Sequence, residues 1–216
     1  MAPMQIASAH LSPPRASAKG EVIVGIVLAA GDGTRMGGSK ALLLFGSEPL
    51  CRVHARNLLD AGASRVIVVV RPHVVEGIEA TTGMELVPSA AIDQAGSLSL
   101  AVRALPDGDA AFLITPVDCV PASSQTLARL LDLLAHGESL AVTPRFQGKG
   151  GHPVACRSEV LSPYRVGPRP PPLRDVLAGL GARRDWVDVD DPAIGTDLDA
   201  PADVLRATGE NPRFAR

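Results

Sequence analysis

Aromatic residues are scarce, only 3% of a 216-residue chain. A core must therefore be assembled from Ala, Val and Leu. Hydrophobic residues still make up 46% and charged residues 20%, enough apolar material for a folded domain, which excludes global disorder. Cysteine is nearly absent. Cys51, Cys119 and Cys156 lie far apart and form no CxxC pair, so no disulfide framework is indicated and a reducing, cytoplasmic setting is expected. Charge of one sign is not in excess. Lys plus Arg number 21 against 23 Asp plus Glu, a net charge of −2, which argues against a nucleic-acid partner. No apolar run reaches the roughly 18 residues needed to span a bilayer, so no membrane partner is expected.

Residues 1–20 are rich in Ala, Ser and Pro and lack periodicity, and are expected to be a disordered tail. From Glu21 the texture changes. Glu21–Ala30 (EVIVGIVLAA) and Arg65–Val70 (RVIVVV) are continuous β-branched runs, the mark of strands buried on both faces. Further strands are expected at Met84–Val87, Ala110–Thr115, Ser139–Thr143, Pro153–Cys156 and Trp186–Val189. Between them fall expected helices at Leu50–Ala61, Val74–Ala80, Ser97–Leu105, Gln125–His136, Leu173–Leu180 and Pro201–Ala207. Strands alternating with helices predict one α/β domain over residues 21–208, with a mostly parallel sheet covered on both faces, and a short tail over 209–216. Such sheets bind ligands at the carboxyl ends of their strands. Chemistry should then lie in the loops after Ala30, Val70, Val87 and Thr115.

The first of those loops carries the strongest signal: Leu28-Ala29-Ala30-Gly31-Asp32-Gly33-Thr34-Arg35-Met36-Gly37-Gly38-Ser39-Lys40. Glycines at 31, 33, 37 and 38 permit left-handed turns and let backbone N–H groups approach an anion. Arg35 adds a planar fork for phosphate oxygens and Lys40 a mobile point charge. The loop is a phosphate cradle on chemical grounds, yet it matches neither better-known motif. A P-loop requires Lys before Ser or Thr, and here Ser39 precedes Lys40. The dinucleotide fingerprint requires a third Gly where Met36 stands.

The same residues resemble the signature of nucleotidyltransferases with a Rossmann-like domain. Met36–Leu43 continues in the manner of the molybdenum cofactor cytidylyltransferase branch. Gly151-His152-Pro153-Val154, and the run from Asp190 through Asp197-Leu198-Asp199-Ala200-Pro201-Ala202-Asp203, are similar to later motifs of that branch. The resemblance spans about residues 23–206. It implies a Rossmann-like nucleotidyltransferase fold, in which Leu28, Ala29, Ala30, Gly31, Gly33, Thr34, Arg35, Met36 and Lys40 hold a nucleoside triphosphate, CTP favoured. Gly96 and Ser99 would contact base and ribose, and Gly151 and His152 would line an acceptor pocket.

Nucleotidyl transfer uses Mg²⁺, which prefers one or two carboxylates with phosphates and water completing its shell. The resemblance assigns one ligand to Asp118, just past the fourth expected strand, although the usual Asp-x-Pro is here Asp118-Cys119-Val120-Pro121. The alternative for Asp118 is a turn or helix-cap role. Asp197 and Asp199 are two apart, so on an extended segment both carboxylates share one side. The resemblance gives the second metal contact to this pair, while Asp199 also stands where it could cap the last helix. The expected enzyme attaches a nucleotidyl group to a phosphorylated pterin-type acceptor, with Arg35, Lys40 and Asp118 as catalytic residues. Guanylyl transfer to a related cofactor is the nearest variant, and a sugar-phosphate acceptor is further away because the C-terminal motifs fit it less well. A non-catalytic protein that delivers the cofactor to a molybdoenzyme or chaperone is the alternative from another class.

Overall fold

The computed structural model describes residues 22–215 apart from 92, 107, 109 and 168. The tail expected over 1–20 lies outside the described residues. In chain order the strands and helices are β1 (Val22–Ala29), β2 (Leu44–Phe45), β3 (Glu48–Pro49), α1 (Leu50–Asp60), β4 (Arg65–Val70), β5 (Met84–Pro88), α2 (Gln94–Arg103), β6 (Ala110–Pro116), α3 (Ser124–His136), β7 (Ala141–Phe146), β8 (Lys149–Gly150), β9 (Val154–Arg157), α4 (Ser162–Arg165), α5 (Leu173–Gly179), β10 (Arg184–Asp188) and α6 (Pro201–Thr208). The main sheet runs β10-β7-β9-β6-β1-β4-β5, with β8 paired to β7. β1 is parallel to β4 and β6, β4 to β5, and β7 to β10; β9 lies antiparallel between β6 and β7. This is the Rossmann-like α/β architecture with a mostly parallel sheet.

The apolar runs are continuous because both faces of the sheet are covered. Along β1, Val27 and Ala29 face a core closed by Cys51, Ala55 and Leu58 of α1 and Leu127, Leu130 and Leu134 of α3. Val24, Ile26 and Leu28 face the opposite core, closed by Leu98, Ala101 and Val102 of α2, Tyr164 of α4 and Leu177 of α5. β4 divides the same way, with Val66, Val68 and Val70 on one side and Ile67 and Val69 on the other. Gly25 is required by close approach: a Cβ there would stand 2.8 Å from Val66 Cγ2 and 2.9 Å from Leu58 Cδ1.

Three expectations about elements are corrected. The segment after β4 is a 3₁₀ turn over Pro72–Gly77. Pro72 opens it and Gly77 ends it, leaving too few residues for a stable α-helix. α2 begins at Gln94, three residues before the expected start at Ser97, because the Asp93 carboxylate accepts from Gly96 N at 2.7 Å and caps the helix. The hairpin β2–β3 was not expected, being two short pairs with no run long enough to register as strands. Within the segment expected as a tail, residues 209–215 turn back toward that hairpin, and Phe214 forms an antiparallel bridge with Leu43.

Candidate active site

The four strand ends singled out by the sequence converge on one cavity of about 330 Å³. The end of β1 contributes Leu28, Ala30 and the glycine loop through Met36, with Lys40 beyond; β4 contributes Arg71; the segment after β5 contributes Ala91, Asp93, Gln94 and Ser97; and β6 contributes Val117 and Asp118. The loop is held by its own backbone. Gly33 adopts φ 60° and a Cβ there would lie 2.0 Å from the carbonyl oxygen of Gly38, so both conformation and space demand glycine. Thr34–Met36 form a 3₁₀ turn closed by Met36 N donating to Gly33 O at 2.9 Å. Arg71 ties the loop to its neighbours, donating from Nε to Asp32 Oδ1 at 2.8 Å and from Nη1 to Ala91 O at 2.9 Å.

The acidic residues are brought together by backbone pairing. Leu198 N donates to Asp118 O at 2.6 Å and Val120 N donates to Thr196 O at 2.9 Å, which lays the 196–198 segment antiparallel to 118–120. Asp191 anchors that segment: its carboxylate accepts from Ser123 N and the Thr126 hydroxyl at the start of α3, and from Ala193 N in its own 3₁₀ turn. Lys40 Nζ then sits 2.6 Å from Asp199 Oδ1 and 3.7 Å from Asp118 Oδ2. The ammonium's hydrogen bond holds the Asp199 carboxyl below its ordinary range. Partial desolvation, then the charges of Asp118 and Asp199, push Asp197 upward. Among the described residues no cluster of three or more His, Cys, Asp or Glu is arranged to hold a metal. Two converging carboxylates with open sides nevertheless fit Mg²⁺, an oxygen-seeking ion that takes most of its shell from phosphates and water.

A second cavity of about 610 Å³ adjoins the first across Leu28, Asp93 and Gln94. Gly150, Gly151, His152, Trp186, Arg184 and Arg174 line it. Gly151 is wedged against the backbone of residue 194, where a Cβ would come within 2.1 Å of the Ile194 carbonyl oxygen. His152 N donates to that same oxygen at 2.8 Å. The His152 ring is mostly buried, which lowers its pKa against the opposing pull of Asp118, and its Nδ1 has no hydrogen-bond partner. The Arg184 guanidinium lies 4.0 Å from the centre of the Trp186 ring. Behind this wall His54 is fully buried and donates from Nε2 to Cys119 O at 3.0 Å; burial lowers its pKa to about 4.

Most of the expected site residues meet in these cavities, and the exceptions are specific. Ser99 is buried on α2 and its hydroxyl donates to Tyr164 O at 2.6 Å, so it packs α2 on α4 and does not face the cavity. Two residues earlier, and so on the other side of the helix, Ser97 takes the cavity position. Gly96 lies in the first turn of α2 against Ala91 and does not line the cavity. Ala29 is buried in the core beneath the loop. Asp199 does not cap α6: the N-cap is Ala200, and Asp203 accepts from the N–H groups of both Asp199 and Ala200. Of the acidic pair, Asp199 lines the cavity while Asp197 stands beside it, exposed. Arg71, Asp93 and Gln94 were missed. Their signal was available in the rule that every strand end of the sheet faces the ligand.

Comparison with known proteins agrees with this geometry. The model of the MobA-like NTP transferase domain matches residues 25–186. The bifunctional protein GlmU of Anaeromyxobacter is 31% identical over 154 residues, 67% of this chain, and the chain spans only 31% of that relative's length. Rv0371c from Mycobacterium tuberculosis superposes with a TM-score of 0.74 at 22% identity, covering 88% of this chain and 99% of its own. Its complex with manganese superposes at 0.64 and 20% identity, covering 88% and 99%. A nucleotidyl transferase from Methanothermobacter superposes at 0.67 and 22% identity, covering 87% and 96%. A glycine-rich loop at the end of β1, facing the carboxylates of Asp118 and Asp199 across the cavity, accompanies a family model that matches most of the chain; the protein belongs to the MobA-like NTP transferase family and is a nucleotidyltransferase.

Proposed function

We propose that this nucleotidyltransferase transfers CMP from CTP to a phosphorylated pterin-type acceptor, the molybdenum cofactor or its precursor, in the cytoplasm. The observation that carries the reading is the junction of the two cavities. One is a phosphate cradle with facing carboxylates. The other offers the Trp186 ring for a flat heterocycle and the guanidinium groups of Arg174 and Arg184 for its phosphate. CTP is favoured by the resemblance of Met36–Leu43 and Gly151–Val154 to the cytidylyl branch.

In this mechanism the glycine loop and Arg35 hold the triphosphate. Asp118, with Asp197 or Asp199, would hold Mg²⁺, whose charge neutralises the triphosphate. An acceptor phosphate oxygen attacks the α-phosphorus, forming a new P–O bond as the bond from the α-phosphorus to the bridging oxygen breaks and pyrophosphate leaves. A phosphomonoester is largely ionised near pH 7, so the residues position the reactants and stabilise charge. Lys40 supplies that charge at the α-phosphate. The product would pass to a molybdoenzyme or its chaperone.

A thermal-shift panel with CTP, GTP, ATP and UTP, with and without Mg²⁺, tests the nucleotide. A ligand at 100 times its Kd adds about 2.7 kcal/mol, roughly 5–10 °C for a domain of this size. A selective, Mg²⁺-dependent rise is expected with CTP. A selective rise with GTP moves the assignment to guanylyl transfer, and no rise with any nucleotide, repeated with a molybdopterin extract present, overturns the reading.

A further inference from the structure

The glycine loop is held from outside the family-matched region. Residues 213–215 run antiparallel to 42–44: Leu44 N donates to Arg213 O at 2.7 Å, Ala215 N donates to Leu42 O at 2.9 Å, and Leu43 pairs with Phe214. The Phe214 ring is half-buried, packs on the core beneath α1, and lies over Gly38, where a Cβ would come within 3.0 Å of two ring carbons. One segment therefore grips both flanks of the Ser39–Leu42 turn, the ring at Gly38 and the backbone at Leu42 and Leu44. Lys40 is the first residue of that turn. The same stretch of chain begins at Asp199, which receives the Lys40 ammonium, and passes through α6 to Gly209 and Phe214. Lys40 is thus held from both ends of one connected element.

We propose that Phe214 is a positioning residue for nucleotidyl transfer: it fixes the Lys40 turn at the distance from Asp118 and Asp199 that the triphosphate requires. The inference rests on the glycine loop being the nucleotide site. The hydrogen bonds to 42–44 secure one flank of the turn, and the Phe214 ring packs on the other at Gly38, next to Gly37 with its left-handed φ of 78°. Misplacing a charge by about 1 Å can cost up to 10²-fold in rate, so a loosened turn is expected to matter even though Phe214 lies away from the reacting atoms.

The test is a double-mutant cycle on the full chain between Phe214→Ala and Lys40→Ala, read as the Kd of the Mg²⁺-bound nucleotide preferred by the wild-type protein and as hydrogen exchange at residues 38–44. Phe214→Ala is expected to weaken nucleotide binding about tenfold in the wild-type background and hardly at all in the Lys40→Ala background, since contacting residues are non-additive when one acts through the other. Exchange at 38–44 should speed up. Phe214→Leu, which keeps most of the bulk, should recover most of the affinity and guards against simple misfolding. Equal losses in both Lys40 backgrounds, or a lowered Tm with unchanged nucleotide affinity, would overturn the assignment and leave Phe214 a packing residue. Failure of the wild-type protein to bind any nucleotide would instead overturn the reading of the glycine loop, and the two failures are distinguishable.

Discussion

Replacing Lys40 by Ala should move two observables in opposite directions. In the structure the Lys40 ammonium lies 2.6 Å from Asp199 and 3.7 Å from Asp118, so it occupies the charge position between two carboxylates of the proposed metal site. The side chains of Asp199 and Asp118 are 53% and 34% exposed, and solvent screening reduces each ion pair to about 0.5–1 kcal/mol. Removing the ammonium frees both carboxylates, and binding of Mn²⁺ or Mg²⁺ without nucleotide should tighten about five- to tenfold. The Asp199 carboxyl, no longer held down by Lys40, should titrate at a higher pH than before. Turnover should fall about 10²–10³-fold, the loss expected when one preorganised donor to a charged transition state is deleted. Calorimetric titration with Mn²⁺ reads the first effect and pyrophosphate release the second. A loss of metal affinity together with turnover would refute the reasoning, since it would mean that Lys40 supports the metal site and does not compete with it.

Three further outcomes follow from the geometry. His54 is buried and neutral with a pKa lowered to about 4, so the unfolded chain gains a proton near pH 6.5 and the folded chain does not. Stability should therefore fall as pH drops from 6.5 to about 4, by about 3 kcal/mol; His54→Gln, which can still donate to Cys119 O, should flatten that slope in thermal melts. Gly33→Ala should abolish nucleotide-induced stabilisation while leaving most of the fold intact, because its Cβ would meet a backbone oxygen in the loop itself; unchanged nucleotide affinity would contradict this. Asp191→Ala strips acceptors from Ser123 N, Thr126 and Ala193 N, and should lower Tm by roughly 6–12 °C, corresponding to about 3 kcal/mol. A smaller shift would show that water replaces the carboxylate.

The sheet was legible because its strands are buried on both faces: the runs at β1 and β4 are uninterrupted and cannot be amphipathic helices. The site followed from that sheet, since the glycine loop and Asp118 stand at adjacent strand ends, β1 beside β6. What escaped was set by contacts distant in sequence. Ser99 resembles a ligand in the linear motif, but the helix, capped by Asp93 and starting at Gln94, presents Ser97 to the cavity and turns Ser99 onto Tyr164 of α4. Arg71 gave no local signal, because its partners Asp32 and Ala91 come from two other loops. The cap assigned to Asp199 failed because the side chain has a stronger partner in Lys40, 159 residues away. The docking of Phe214 on the loop had no periodic pattern to announce it.

The most direct test of the account is label transfer. CTP carrying ³²P at the α-phosphate is incubated with the protein, Mg²⁺ and molybdopterin, and the products are separated. The account predicts label on the pterin with stoichiometric release of unlabelled pyrophosphate, both lost in Asp118→Asn. Nucleotide bound tightly but recovered unchanged, or label released as free CMP with no adduct at any pterin concentration, would contradict it.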